Sequence, residues 1–94
     1  MIFEWDENKN RINIQKHGIS FEKATKLFEV SDLILEAKNI DDEKRYAIIG
    51  KLDGKCYFCV FTLRDDKIRI ISVRRCRKKE EAYYESKRVW WKNW

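Results

Sequence analysis

The stretch EKRYAIIGKLDGKCYFCVFTLRDDKIRIISVRR, residues Glu43 to Arg75, holds three apolar runs separated by two short polar breaks. The first break is Asp53–Gly54, and Asp-Gly is a strong hairpin signal because both central positions of a type I′ turn need positive φ. The second is Asp65–Asp66; as a two-residue turn it sets Arg64 opposite Lys67 and Thr62 opposite Arg69. Ahead of them SDLILEAKN, from Ser31, alternates weakly. Together these segments read as four consecutive strands of an antiparallel meander, with the very apolar CYFCVF at its centre.

Working outward, the N-terminal side is helical. IFEW is a short opening strand and a candidate fifth member of the sheet. Asp6 then caps a first helix that Gly18 ends, with Ile12 as its apolar contact. Ser20 caps a second helix, SFEKATKLFE, although Lys23 stands where a capping box has Glu. Phe21, Ala24, Leu27 and Phe28 give that helix an apolar face. On the C-terminal side KKEEAYYESKRVWWKNW, from Lys78, has helix formers and no breaker, with Ala82, Tyr83, Ser86 and Trp90 at helical spacings. The aromatic tail, Trp90, Trp91 and Trp94, is expected to fold back on the sheet or to meet a partner. The fold class expected is therefore α+β, with two N-terminal helices, a four- or five-stranded antiparallel sheet and a C-terminal helix. At 94 residues, with no proline, repeat or linker, the chain reads as one domain, residues 1–94.

No segment approaches the roughly 20 apolar residues needed to span a bilayer, and the N-terminus lacks a basic region followed by an apolar one. The expectation is a cytoplasmic protein without membrane association. Cys56, Cys59 and Cys76 form an odd set in such a chain, which argues for reduced thiols. CYFC matches C-x-x-C, yet side chains three apart on a strand point to opposite faces, so Cys56 and Cys59 cannot share a metal. Core packing is their expected role. With one histidine and no acidic quartet, no metal site or cofactor is expected.

Charge is unevenly spread along the chain. The total is +5, but Arg64 to Lys79 alone holds eight basic side chains against Asp65 and Asp66, a net of +6. Glu29 to Asp53 holds seven acids and four bases, a net of −3. Such a basic stripe suits a polyanion, either nucleic acid or an acidic protein segment; a solvated face is the plain alternative. Simple alternation puts Ile68, Ile70, Ser72 and Arg74 on one face of the last strand, and Arg69, Ile71, Val73 and Arg75 on the other. The arginines then cap both faces of one strand end, where guanidinium forks match phosphate oxygens. His17, in QKHG, fits either helix termination or general acid–base work, which imidazole performs most often. Glu80 and Tyr84, one helical turn apart, could order an arginine or act as base and acid.

The segments FEWDENK (from Phe3), KHGISFEKA (from Lys16), RYAIIG (from Arg45), TLR (from Thr62) and RIISVRRCRKKEEAYYE (from Arg69), in this order and spacing, resemble the BrnT family of bacterial type II toxin–antitoxin toxins, a branch of the RelE-like ribonucleases. Val73 and Cys76 stand where that family usually has alanine, and the tryptophan tail beyond Ser86 falls outside the pattern. The resemblance implies a RelE-like fold and a metal-independent endoribonuclease, in which the ribose 2′-hydroxyl attacks the adjacent phosphate. It implies a BrnA-like antitoxin as partner, RNA as substrate, and contact with operator DNA only through the antitoxin. Carried onto this chain, it makes Arg64, Arg74, Arg75, Glu80, Tyr84 and His17 the catalytic candidates, and Lys67, Arg69, Arg77, Lys78 and Lys79 the RNA-binding ones; which of Glu80, Tyr84 and His17 is the base stays open. The alternative is a non-catalytic RelE-fold protein that binds RNA or an antitoxin in a regulatory role.

Overall fold

Three polar breaks in the C-terminal two thirds are tight turns. Asp41 and Asp42, Asp53 and Gly54, and Asp65 and Asp66 all have positive φ, between 50° and 77°, as two-residue type I′ loops require. The Asp41–Asp42 turn went unread in the sequence. Aspartate tolerates this left-handed conformation better than most side chains, so five of the six positions need no glycine.

The computed structural model describes residues 1–92, with side chains to Lys87. Strands β2 (Leu33–Ile40), β3 (Glu43–Leu52), β4 (Lys55–Arg64) and β5 (Lys67–Arg75) form the expected meander. The order across the sheet is β1-β5-β4-β3-β2, with CYFCVF in the central strand. Strand β1 (Phe3–Glu4) is the fifth member, and it corrects the all-antiparallel expectation: it runs parallel to β5, Phe3 beside Ile68 and Glu4 beside Arg69.

One face of the sheet carries the larger core. Phe21, Ala24 and Leu27 pack there with Ile48, Cys59, Phe61, Ile70 and Val73. The expected second helix is two short ones, α2 (Phe21–Ala24) and α3 (Leu27–Val30). At the break the Thr25 hydroxyl donates back to Glu22 O (2.6 Å), and Lys26 N donates to Lys23 O three residues back, tightening the turn. Gly50 faces α3: a Cβ there would lie 2.8 Å from Ser31 Cβ and 3.2 Å from Leu27 Cδ2. On the opposite face Tyr84 of helix α4 (Lys78–Lys92) packs with Ile49 and Cys56. That helix turns Tyr84 inward and leaves Ala82, Tyr83 and Ser86 exposed, so the stripe read from Ala82 and Tyr83 is rotated. Contacts of Trp90, Trp91 and Trp94 lie outside the described residues. Cys56 and Cys59 enter different cores, as alternation requires. Burial pushes the Cys59 thiol up to about 12.

Helix α1 (Glu7–His17) is capped as expected: Asp6 Oδ1 accepts from Asn8 N and Lys9 N, and Gly18 closes it at φ 70°. Its buried face is not. Ile12 is 51% exposed, which corrects its expected apolar contact, and the residues buried are Asn10 and Asn13. Asn10 Oδ1 accepts from Phe21 N (2.8 Å), while Nδ2 donates to Glu7 and Glu22. Asn13 Nδ2 donates to Val73 O (2.8 Å) and Ile19 O (3.0 Å), and Asn13 Oδ1 accepts from Val73 N (3.1 Å). The side-chain amide thus takes the place of a neighbouring strand for one residue of β5.

Two substitutions check this packing by chemical denaturation. Gly50→Ala should destabilise the protein by about 1–3 kcal/mol through overpacking against Ser31. Asn13→Ala should cost roughly 1–3 kcal/mol for each Val73 backbone group left buried without a partner.

Candidate active site

The pairing of β4 with β5 slips by one residue. Val60 faces Ser72 but Phe61 faces Ile70, so Ile71 is the extra residue of a bulge. Beyond it the faces exchange, which corrects the simple alternation: Ile68, Ile70 and Val73 all reach the larger core. Arg74 and Arg75 still leave by opposite faces.

On the α4 face Arg74 lies over the Phe58 ring, 4.5 Å from its centroid. Its guanidinium grips Glu80 at both ends, Nη1 to Oε1 at 2.8 Å and Nη2 to Oε2 at 2.9 Å, and Nη1 also donates to Arg75 O. Glu80 Oε1 accepts in addition from Arg77 N (2.7 Å), which caps the start of α4. Bound in this way, the Glu80 carboxyl is held below the ordinary carboxylate value, chiefly by the Arg74 hydrogen bonds. Arg74 is in turn raised, chiefly by Glu80. Three of the five guanidinium donors are used, leaving two toward solvent or ligand. A cleft of about 490 Å³ opens beside this pair, between α4 and the sheet, walled by Leu35, Ile49, Phe58, Lys79 and Tyr83.

On the other face Arg75 lies over Tyr57, at 5.9 Å, and is exposed, with no carboxylate partner among the described residues. Tyr57 and Phe58 are consecutive on β4, as Arg74 and Arg75 are on β5, so one register supplies both aromatic platforms. That pairing went unread in the sequence, although a correct register would have revealed it.

The remaining candidates are dispersed. Arg64 pairs with Glu43 (2.7 Å) beside the Asp65–Asp66 turn, opposite Lys67 as expected. Seven residues of β5 separate that pair from Arg74, roughly 23 Å at strand rise, so Arg64, Arg74 and Arg75 do not converge on one phosphate. Arg69 and Lys67 both face Glu4 of β1. Arg77, Lys78 and Lys79 are exposed at the start of α4. Tyr84 is 8% exposed and holds α4 to the sheet beside Lys51, which pairs with Glu85. His17 is exposed on the last turn of α1, in a second cleft bordered by Ile71 and Ser72. Among the described residues no group of three His, Cys, Asp or Glu side chains is placed to hold a metal ion, and no helix is long and apolar enough to cross a membrane.

The last strand of this α+β fold thus ends in two guanidinium groups, each steadied on an aromatic ring, a form that matches phosphate oxygens. The family model described as "Ribonuclease toxin, BrnT, of type II toxin-antitoxin system" matches residues 5–80, and the chain belongs to that family. Membership implies an antitoxin as partner and RNA as target. Among solved structures the chain is similar to the 1.1 Å crystal structure of the Brucella abortus ribonuclease toxin BrnT, at 24% identity and a TM-score of 0.62. The similarity covers 83% of this chain and 100% of that one. No curated protein matches it.

The Arg74–Glu80 pair gives a pH signature. Because the folded-state value of Glu80 is depressed, its stabilisation is present above the ordinary value of 4.5 and lost as pH falls through the folded value. Glu80→Gln should cost roughly 1–3 kcal/mol at neutral pH, a deficit that shrinks on acidification below pH 4.5 in denaturant midpoints taken across pH.

Proposed function

We propose that this chain is a metal-independent endoribonuclease of RelE-like design, acting in the cytoplasm and neutralised by a BrnA-like antitoxin, through which alone it meets operator DNA. In the reaction the ribose 2′-oxygen bonds to the adjacent phosphorus and the bond from phosphorus to the 5′-oxygen breaks. A base takes the 2′-hydroxyl proton and an acid returns one to the leaving 5′-oxygen. The products are a 2′,3′-cyclic phosphate and a 5′-hydroxyl.

The observation that carries this reading is the end of β5, where Arg75 leaves by one face and Arg74 by the other, so that Arg75 meets the scissile phosphate and Arg74 a neighbouring phosphate of the same strand. Charge gathers on the phosphate oxygens in the transition state, and fixed cations aimed at it are worth more than mobile ones. Arg74 is fixed by Glu80 and Phe58 and keeps two free donors; Arg75 is steadied by Tyr57 and carries no competing carboxylate. Glu80, ionised and occupied, serves to orient Arg74. Tyr84 supports α4 from its buried position. That leaves His17 as the accessible candidate for proton transfer. Arg64, Lys67 and Arg69, at the far end of the sheet, and Arg77, Lys78 and Lys79, at the start of α4, hold flanking stretches of the RNA.

The test is cleavage of end-labelled single-stranded RNA in excess EDTA, with and without ribosomes. Cleavage to cyclic-phosphate ends is expected, slowed roughly 10²-fold by Arg75→Ala. Cleavage that needs an added divalent metal would overturn the mechanism. Folded protein that cuts nothing under either condition would leave a non-catalytic RNA- or antitoxin-binding role.

A further inference from the structure

Several cations have a carboxylate beside them: Arg64 has Glu43, Arg69 has Glu4, Arg74 has Glu80 and Lys23 has Asp53. Helix α1 groups cations without such a partner along one cleft. Lys9, Lys16 and His17 are exposed, and their side chains have no hydrogen-bond or ion-pair partner among the described residues. All three border one cleft of about 190 Å³, whose other wall is Ile71 and Ser72 of β5.

The cleft exists because of two features already described. The bulge makes Ile71 an extra residue, and Asn13 pins α1 to the next residue but one, Val73. Between the lysines, on the same stripe of α1, stands Ile12, half exposed. An isoleucine turned outward while asparagines turn inward does nothing for the core. Lys9 and Lys16 lie two turns apart, about 10 Å along the axis, which suits two anionic points on a line rather than one compact anion. An apolar patch between two cations, with a hydroxyl at hand, matches the alternation of phosphate and ribose along an RNA strand.

We propose that this cleft is a second RNA subsite, distinct from the arginines at the end of β5. Lys9 and Lys16 take two backbone phosphates, and Ile12 and Ile71 pack on the sugar or base between them. Ser72 Oγ offers a polar contact from the cleft wall. His17, at the end of the same stripe, would thereby be set beside the bound strand. The proposal rests on the ribonuclease reading and extends it by naming where RNA lies along α1.

The test is the salt dependence of binding to a 2′-O-methyl single-stranded oligoribonucleotide, which has no attacking hydroxyl. Anisotropy would be read for wild type, Lys9→Gln/Lys16→Gln and the charge-matched control Lys38→Gln/Lys55→Gln. Two lost phosphate contacts should lower the slope of log K against log salt by about 1.4, at about 0.7 per phosphate for single strands, and the control should leave it unchanged. Equal slopes for wild type and Lys9→Gln/Lys16→Gln would overturn the subsite; unmodified RNA still being cleaved by wild type would then show that the ribonuclease reading survives it. Wild type that neither binds nor cleaves RNA would overturn both. If the α1 variant lost binding only to a polyglutamate peptide, the cleft would be a site for acidic protein and the RNA subsite would be wrong. Equal melting temperatures of the three proteins would confirm that the slopes report contacts rather than folding.

Discussion

One side-chain amide holds the two halves of this molecule together. Asn13 gives Val73 both a donor and an acceptor at the point where β5, just past its bulge, has β4 on one side and no strand on the other. Buried backbone groups must be paired, and a strand with no neighbour would otherwise need water there. The amide satisfies that demand in the geometry of a strand while being carried on a helix. From this follow the seat of α1, the outward direction of Ile12 and the cleft walled by Ile71 and Ser72.

The electrostatics divide along the same line. At the turn end of β4 and β5, cations are matched by Glu43 and Glu4, a network at exposed sites with modest energetic weight. At the other end, Arg74 is matched by a carboxylate that also caps α4, so one residue, Glu80, couples the orientation of a guanidinium to the start of a helix. Among the described residues, cations without an acidic partner include Lys9 and Lys16 on α1, Arg75, and Arg77, Lys78 and Lys79 at the start of α4. The net charge of +5 says nothing of this; it is the location of the acids that distinguishes cations with a partner in the fold from those without one.

Much of the fold was legible because its signals are local. Asp53–Gly54 and Asp65–Asp66 demanded tight turns, and the expected partners Arg64 with Lys67 and Thr62 with Arg69 are those observed. Asp6, Gly18 and Ser20 cap where their chemistry says they should. What stayed hidden depends on distant residues. The bulge at Ile71 leaves no mark in an apolar run, and it alone regroups the faces of β5. Asn10 and Asn13 drew no reading from the sequence, because the groups that satisfy them, Phe21 N, Ile19 O and the Val73 backbone, become neighbours only on folding. At the site, the clustering of arginines was plain, but the partner of each was not. Glu80 was foreseen as a group that could order an arginine, whereas the separation of Arg64 from Arg74 follows from strand length and was overlooked.

The meander is built from two-residue loops, whereas Asn13 and Val73 stand 60 positions apart in the chain. Contacts between near neighbours in sequence form sooner than those that close a long loop. The hairpins can therefore assemble by themselves, and α1 joins only when β5 offers an unpaired Val73. During synthesis the order is inverted: α1 leaves the ribosome first and has nothing to dock on until the last strand has emerged. The cleft along α1 comes into being only at the close of folding, so that a nascent or truncated chain lacking β5 does not have it.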